Sequence, residues 1–223
     1  MASLDNLART GTIEMNKSSA LISTALLLMS VSTVFAASSV DLTVKGLITP
    51  SACTPSLSSG GVVDHGKLAA RDLSPTGWTI IGNHFLQLAI TCDAPTLLAL
   101  KGTDNQGNAH DPANTYGLGL VGDKKLGDFS LALANAMADG ATISAIQSSD
   151  QGLTWGRLDS DEVWPVANFA SFGDRSTGSW APIAIQQVTA DLHVQSMIAP
   201  TAGMDLTEEV PLNGSATVEV KYL

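Results

Sequence analysis

The 223-residue sequence predicts an all-β protein, and three observations lead to this prediction. Apolar and polar residues alternate in several short segments, which is the pattern of a strand with one buried face. Residues that favour turns separate these segments, and no long segment shows the 3.6-residue apolar period of an amphipathic helix. Small, uncharged residues dominate, and charged residues make up only 14% of the chain. Together these features predict a β-sandwich.

The amino-terminal segment has the organisation of a Sec signal peptide. Lys17 precedes an apolar run from Ala20 to Phe35, and Val34 and Ala36 occupy the small-residue positions before a cleavage site. A transmembrane anchor is the alternative, but this run contains several hydroxyl side chains and is shorter than the ~20 residues that a span needs. The sequence therefore predicts export and cleavage after Ala36.

The domain organisation follows from that cleavage site. Residues 1–14 carry acidic side chains, whereas a signal peptide begins with a basic region, so Met15 is the better natural start. We expect residues 1–14 to be an overlong start, residues 15–36 to be the signal peptide, and residues 37–223 to be a single domain. After removal of the signal, we expect no insertion into a membrane.

The charge of the exported chain excludes two classes of partner. The segment before residue 37 carries two basic and two acidic residues, so the remaining chain keeps the formal net charge of −10. A chain this acidic is repelled by nucleic acid and by anionic membrane surfaces. We therefore expect neither as a partner.

The two cysteines, Cys53 and Cys92, both lie in the exported part. An oxidising compartment favours a disulfide between them, which would close a loop of ~40 residues and contribute ~3–4 kcal/mol. A metal site is the alternative, but the sequence has no CxxC motif and no nearby histidine pair. The pair predicts a structural disulfide and no bound metal or cofactor.

The first predicted strand is Val40–Ile48, which Pro50 ends, and Cys53 follows in a turn. Residues 57–66 are predicted to form a loop and a short strand, and residues 103–112 an exposed loop. A tight turn at Asp93–Pro95 would make the strands on either side of it neighbours. Alternation predicts five later strands, the fourth with one bulge: Phe85–Cys92, Thr96–Lys101, Leu126–Ala138, Ile183–Met197 and Ser215–Leu223.

Three stretches carry a resemblance to a known family: LTVKGLITPSACTP at 42–55, LSSGGVVDHG at 57–66 and GSATVEVKYL at 214–223. A glycine in the first strand, the first cysteine soon after it and a penultimate tyrosine resemble the pilin subunits of chaperone–usher fimbriae. The match is closer still to bacterial proteins described as probable β-fimbrial subunits. The resemblance implies an incomplete immunoglobulin-like sandwich that lacks its last strand.

The resemblance also implies an assembly mechanism. A periplasmic chaperone would fill the groove beside the last strand, and the amino-terminal segment of another subunit would replace it at an outer-membrane usher. Backbone pairing and alternate side chains would give affinity and specificity. The subunit would then reach the cell surface as part of a fimbria.

Specific residues follow from the resemblance. Val218, Val220 and Tyr222 would line the groove, and the Leu223 carboxylate would bind a chaperone cation. An ordinary core strand is the alternative for this segment. The candidate donor residues are Val40, Leu42 and Val44.

The sequence departs from the pilin pattern at two points. Val210 stands where a glycine is expected, and Gly214 is the nearest one. Only eight residues of the exported chain precede Lys45, which is short for a donor segment and would suit a tip or terminal subunit.

A different motif, S-x-D-x-G-x-T-W, resembles the Asp box of sialidases. One copy in a chain too short for a six-bladed propeller, with few arginines, predicts a structural hairpin and no glycosidase activity. No nucleophile or metalloprotease motif appears, so we expect no enzyme. The residues of the box are Ser148, Asp150, Gly152, Thr154 and Trp155.

The tryptophans support an alternative function. Trp164 and Trp180 lie in loop-like sequence and are candidates for stacking on sugars, although core packing is the alternative for each. A single-domain fimbrial tip adhesin that binds a glycan or host receptor is therefore the second function that the sequence suggests.

Overall fold

A computed structural model describes residue 43 and residues 52–223 of the chain. Residues 52–223 belong to one compact unit, Leu47–Leu223. The predicted signal peptide, the predicted strand at 40–48 apart from residue 43, and the candidate donor residues Val40, Leu42 and Val44 lie outside the described residues.

Residues 52–223 form short and long strands joined by turns, with two single 3-10 turns at Ser58–Gly61 and Ala70–Asp72. The strands in chain order are β1 (Cys53–Leu57), β2 (Thr79–Thr96), β3 (Leu98–Asp104), β4 (Tyr116–Gly117), β5 (Leu120–Val121), β6 (Lys124–Lys125), β7 (Gly127–Ala138), β8 (Ala141–Thr142), β9 (Ser144–Ser148), β10 (Gly156–Arg157), β11 (Phe169–Asp174), β12 (Ala181–Pro182), β13 (Ile185–Ile198) and β14 (Ala216–Tyr222).

The strands form two antiparallel sheets, and the prediction of an all-β sandwich is confirmed. The first sheet has the order β1-β2-β13-β7-β4, with β8 beside β7. The second has the order β10-β9-β11-β3-β14, with β12 beside β11. Strands β5 and β6 pair with each other in a separate two-stranded ribbon.

The core contains apolar side chains from both sheets. On β2, Leu86, Leu88, Ile90 and Cys92 are buried and their neighbours are more exposed, as the alternation predicts. β7 is buried on both faces over its first half, because small side chains such as Ala132 occupy its second face. The largest fully buried side chain is Trp164.

The strand predictions for residues 126–138, 183–197 and 215–223 are confirmed, including a register shift in β13. The predicted tight turn at Asp93–Pro95 is wrong. These residues form a bulge in β2. On one side of the bulge Thr91 pairs with Gln187 of β13, and on the other side Thr96 pairs with Ile185 of β13. Because the chain then crosses to the other sheet, β2 and β3 are not neighbours.

Cys53 does not lie in a turn, as the sequence predicted, but begins β1. It stands directly opposite Cys92 of β2, and the predicted disulfide joins the two residues. Pairing of β1 with β2 places the two cysteines in register, with 4.0 Å between their Cα atoms. The disulfide therefore fixes the start of β1 at the edge of the first sheet.

None of the helices in the described part of the chain is both long enough and apolar enough to cross a bilayer.

Candidate functional site

The last strand, β14, lies at one edge of the second sheet. Its seven residues pair with β3, from Ala216 opposite Asp104 to Tyr222 opposite Leu98. Among the described residues, β14 has no second neighbouring strand. An edge strand of this length presents a row of backbone groups to which another strand can add.

The register shows which backbone groups face outward. The Ser215 carbonyl accepts from the Asn105 amide at 3.0 Å, and the Leu223 amide donates to the Leu97 carbonyl at 3.1 Å. In an antiparallel pair, bonded and non-bonded residues alternate, so the odd-numbered residues of β14 bond to β3. The amides and carbonyls of Ala216, Val218, Val220 and Tyr222 therefore face away from β3.

The side chains of β14 also alternate. Ala216, Val218 and Val220 are half-buried and pack against the core. Thr217 and Glu219 are exposed on the other face, where Glu219 forms an ion pair with Lys221 at 2.7 Å. Of the four residues whose backbone groups face the open edge, Ala216, Val218 and Val220 thus also have apolar side chains directed inward, whereas Tyr222 is exposed.

A groove with a volume of about 250 Å³ lies beside this strand, between the two sheets. We call it the β14 groove. Ala216 and Val218 line it from β14, and Leu57 and Val63 line it from the region of β1. Core residues of the first sheet, including Leu86, Leu131, Leu192 and Val194, also line it. An apolar groove that reaches the core can hold the alternate side chains of an added strand.

Two further residues of the groove were not predicted as site residues from the sequence. Gly214 lies so close to Leu118 and Phe129 that a Cβ at this position would be 2.8 Å from Leu118 Cδ2. The absence of a side chain therefore lets the backbone at Gly214 pack directly against Leu118 and Phe129 in the lining of the groove. Burial, and then the nearby His84, lower the pKa of His65, which also lines the groove. At neutral pH the uncharged imidazole suits an apolar groove.

The far end of β14 is attached to the opposite sheet. The Tyr222 hydroxyl accepts a hydrogen bond from the Cys53 amide at 3.0 Å. Because Cys53 is also disulfide-bonded to Cys92, this contact joins the last strand to the pair β1–β2. Tyr222 and Leu223 are 39% and 47% exposed, so both remain accessible to a partner.

The Asp box forms the turn of the hairpin β9–β10, in which Gly156 pairs with Gln147. Asp150 accepts hydrogen bonds from the Thr154 amide at 2.9 Å, the Thr154 hydroxyl at 2.6 Å and the Ser148 hydroxyl at 2.7 Å. Gly152 has a φ of +95°, which favours glycine, and its carbonyl accepts from Trp155 Nε1. The box therefore forms a self-contained turn.

This turn also lies against the carboxyl terminus. A Cβ at Gly152 would be 3.5 Å from both Leu223 Cδ2 and Trp155 Cζ2. The Asp box thus contacts the last residue of the chain, at the end of β14 where Tyr222 bonds to Cys53. The sequence did not predict this contact, because some seventy positions separate the two segments.

Asp150→Asn should weaken the hairpin in a way that depends on pH. Hydrogen bonds from the Thr154 side chain, the Thr154 amide and the Ser148 side chain lower the pKa of Asp150 to about 2. Because the folded pKa lies below the unfolded value of ~3.9, this stabilisation is present above about pH 4 and is lost as the pH falls towards 2.

Thermal unfolding between pH 7 and pH 2 measures this effect. The melting temperatures of wild type and Asp150→Asn should differ at pH 7 and converge near pH 2. Asp123→Asn, at an exposed position in the β5–β6 turn, is the matched control and should follow wild type throughout. A difference for Asp150→Asn that stays constant across this pH range would contradict the assignment.

A histidine–aspartate pair near β7 does not form a catalytic triad. Buried Asp128 accepts hydrogen bonds from the His110 amide, His110 Nδ1 and the Thr115 hydroxyl. A nucleophile would donate to the histidine, whereas the Thr115 hydroxyl donates to the carboxylate. These contacts hold the loop before β4 against β7. The described part of the chain also contains no group of three His, Cys, Asp or Glu residues arranged to hold a metal ion.

The two candidate tryptophans differ in position. Trp164 is fully buried, so core packing is confirmed for it and it cannot stack on a sugar. Trp180 is half-buried and lines a second cavity, of about 410 Å³, together with Arg157 and Arg175. Only Trp180 remains a candidate for contact with a ligand.

The chain is similar to one protein family and to two proteins of Escherichia coli. The model of a family described as "Protein of unknown function (DUF1120)" matches residues 42–116, which include β1–β3 and both cysteines. Protein GltF of Escherichia coli (strain K12) is 27% identical over 223 residues, covering 82% of this chain and 88% of that protein. Uncharacterized protein YhcF of the same strain is 26% identical over 224 residues, covering 84% and 92%. The chain is therefore similar to a family of unknown function in its first part and, over most of its length, to two E. coli proteins.

Proposed function

We propose that this protein is a structural subunit of a chaperone–usher fimbria, assembled at the bacterial surface by donor-strand exchange. The observation that carries the proposal is the edge of β14, which no strand of residues 52–223 covers and which lies beside an apolar groove between the two sheets. In this proposal the sandwich is an incomplete immunoglobulin-like fold, and the β14 groove is the place of its missing strand. A chaperone strand occupies the groove first, and another subunit's amino-terminal strand replaces it.

The backbone of β14 supports this function through hydrogen bonding. Four consecutive even-numbered residues, from Ala216 to Tyr222, direct their amides and carbonyls away from β3. An added strand would bond to these groups, and each bond contributes about 0.5–1.5 kcal/mol net. Such pairing is independent of sequence, so one groove can accept a chaperone strand and then a subunit strand.

The side chains of the groove support selectivity. Leu57, Val63 and Val218 line the same groove, so a strand laid along β14 would direct alternate side chains towards them. Val40, Leu42 and Val44 have the required alternation and are the candidate donor residues for the groove of a neighbouring subunit. Burial of a valine or leucine side chain contributes about 1.5–3 kcal/mol.

The proposed function also requires export of the chain and a contact for the chaperone. The predicted signal peptide routes the chain to the periplasm, where the chaperone would bind it before the usher places it in the fibre. Assembly of this kind needs neither a cofactor nor enzymatic turnover. The exposed carboxyl-terminal residue Leu223 is the candidate contact for a chaperone cation.

A charge in the groove should abolish chaperone binding. Val218→Glu would place a carboxylate where the added strand must pack, and an unpaired buried charge costs about 2 kcal/mol or more, about thirtyfold in affinity. Thr217→Glu is the matched control, because the neighbouring side chain lies on the exposed face of the same strand.

Co-purification of the exported chain with its periplasmic chaperone measures this effect. Wild type and Thr217→Glu should recover the complex, and Val218→Glu should lose it while chain that has not bound chaperone accumulates as aggregate or is degraded. Equal recovery of chaperone with Val218→Glu and wild type would contradict the proposed strand-accepting groove.

A further inference from the structure

The second cavity lies between the sheets at the other edge of the sandwich, beside β9 and β10. We call it the arginine cleft and define it by Arg157, Arg175, Trp180, Asn135 and Asp174, which are among the residues that line it. Its volume of about 410 Å³ falls in the range of small-molecule sites, ~300–1,000 Å³. It shares no lining residue with the β14 groove.

Strand pairing brings the two arginines into this cleft. Arg157 is on β10, opposite Ile146 of β9, and Arg175 directly follows β11, which pairs with the other side of β9. The described part of the chain contains three arginines, so two of the three line one cleft. In a chain with a net charge of −10, the cleft thus has two guanidinium groups in its lining.

Each arginine keeps hydrogen-bond donors free. Arg175 Nε donates to the Gly178 carbonyl at 3.0 Å, and Arg157 Nε lies 2.9 Å from Asp159 Oδ1. These contacts fix the two side chains at Nε, and no acceptor within residues 52–223 is recorded for their terminal amino groups. Guanidinium groups held in this way bind a carboxylate through paired hydrogen bonds.

Two carboxylates accompany the two arginines, namely Asp174 in the lining and Asp159 in the ion pair with Arg157. Asp174 Oδ1 accepts from the Ser176 amide at 2.9 Å, and this bond, followed by one from the Ser176 side chain, lowers the pKa of Asp174. Its carboxylate is thus engaged in its own turn. Together with Asp159, which forms an ion pair with Arg157, it balances the formal charge of the two guanidinium groups, so a ligand carboxylate would bind through the free terminal amino groups of Arg157 and Arg175.

The rest of the cleft suits a hydroxylated ring. Trp180 is half-buried, so part of its indole is exposed to stack on the apolar face of a sugar. Asn135 Nδ2 is engaged with Asp191 at 2.7 Å, whereas its side-chain oxygen has no recorded donor within residues 52–223. Hydroxyl side chains also line the cleft, at Thr142, Ser144 and Ser160.

We propose that the arginine cleft binds a saccharide that carries a carboxylate. Arg157 and Arg175 hold the carboxylate, Trp180 stacks on the ring, and the polar side chains bind its hydroxyls. The cleft is separate from the β14 groove, so this binding does not depend on the strand-accepting function. Because the whole chain is acidic, a short saccharide with one carboxylate fits better than a highly charged polymer.

Isothermal titration of the exported chain, purified from the periplasm in complex with its chaperone if the chain alone aggregates, tests the proposal with defined probes. The acidic probes are methyl α-N-acetylneuraminide and methyl β-glucuronide, and methyl β-glucoside is the neutral control. We expect at least one acidic glycoside to bind at least tenfold more tightly than the glucoside, with a dissociation constant near or below ~1 mM. Absence of binding by both acidic glycosides at about 10 mM would overturn the proposal.

Matched variants locate the site. Arg175→Lys keeps the charge but loses the planar pair of donors, and it should weaken binding about tenfold or more. Trp180→Ala should weaken binding of the same probe, while Arg71→Gln and Trp78→Ala, at exposed positions outside the cleft, should leave it unchanged. Melting temperatures check that each variant folds. Equal binding by wild type and both cleft variants, or equal binding of acidic and neutral glycosides, would overturn the proposal.

Discussion

Trp164→Ala should lower the free energy of unfolding by about 3–5 kcal/mol, which is the usual cost of truncating a large buried aromatic residue. Trp164 has no exposed surface and belongs to the core cluster. Its Nε1 donates to the Asn168 carbonyl at 3.2 Å, and its backbone amide donates to the Leu131 carbonyl at 2.7 Å. Truncation would leave a cavity and remove the donor from the Asn168 carbonyl.

Denaturant unfolding of Trp164→Ala beside Trp78→Ala separates this effect from the loss of any tryptophan. Trp78 is 46% exposed, and its truncation should cost less than about 1 kcal/mol. A cost below about 1 kcal/mol for Trp164→Ala as well would contradict the role of this side chain in the core.

Alternation in the sequence predicted several strands, including β7, in which large apolar residues alternate with small ones. In β2 and β14, one set of alternate residues is buried and the other is more exposed, so the period of two is visible in the sequence. β9 and β11 were not predicted. Most of their residues are buried or half-buried, which removes the alternation that identifies a strand.

The prediction that a tight turn joins β2 and β3 was wrong for a different reason. Asp93–Pro95 has the composition of a hairpin turn, but β13 pairs with β2 on both sides of this segment. The turn residues therefore form a bulge, and the chain continues into the opposite sheet. Local composition identified an irregularity but could not show which strand would pair across it.

The candidate sites were predictable to different degrees. Val218 and Val220 were identified from the resemblance to pilin subunits, whose motif lies in the single continuous segment 214–223. The arginine cleft was not identified, because Arg157 and Arg175 are separated in sequence and line one cleft only when β9 pairs with both β10 and β11. The contact between the Asp box and Leu223 is likewise a product of tertiary structure.

The second large effect concerns the β14 groove. An unfilled groove leaves a strand edge and apolar core surface open to solvent, which lowers stability and favours aggregation. Occupation by a chaperone strand should offset both costs. At a chaperone concentration a thousandfold above the dissociation constant, the complex gains ~4 kcal/mol, which for a domain of this size raises the melting temperature by about 8–16 °C.

The most direct measurement is the thermal unfolding of residues 37–223, alone and with the periplasmic chaperone. The proposed function predicts a low melting temperature or aggregation for the domain alone, and a cooperative transition at least about 8 °C higher in the complex. Val218→Glu should lose this gain, and Thr217→Glu should keep it. A domain that melts cooperatively at high temperature by itself and does not respond to the chaperone would contradict the proposal that the β14 groove awaits a strand from another protein.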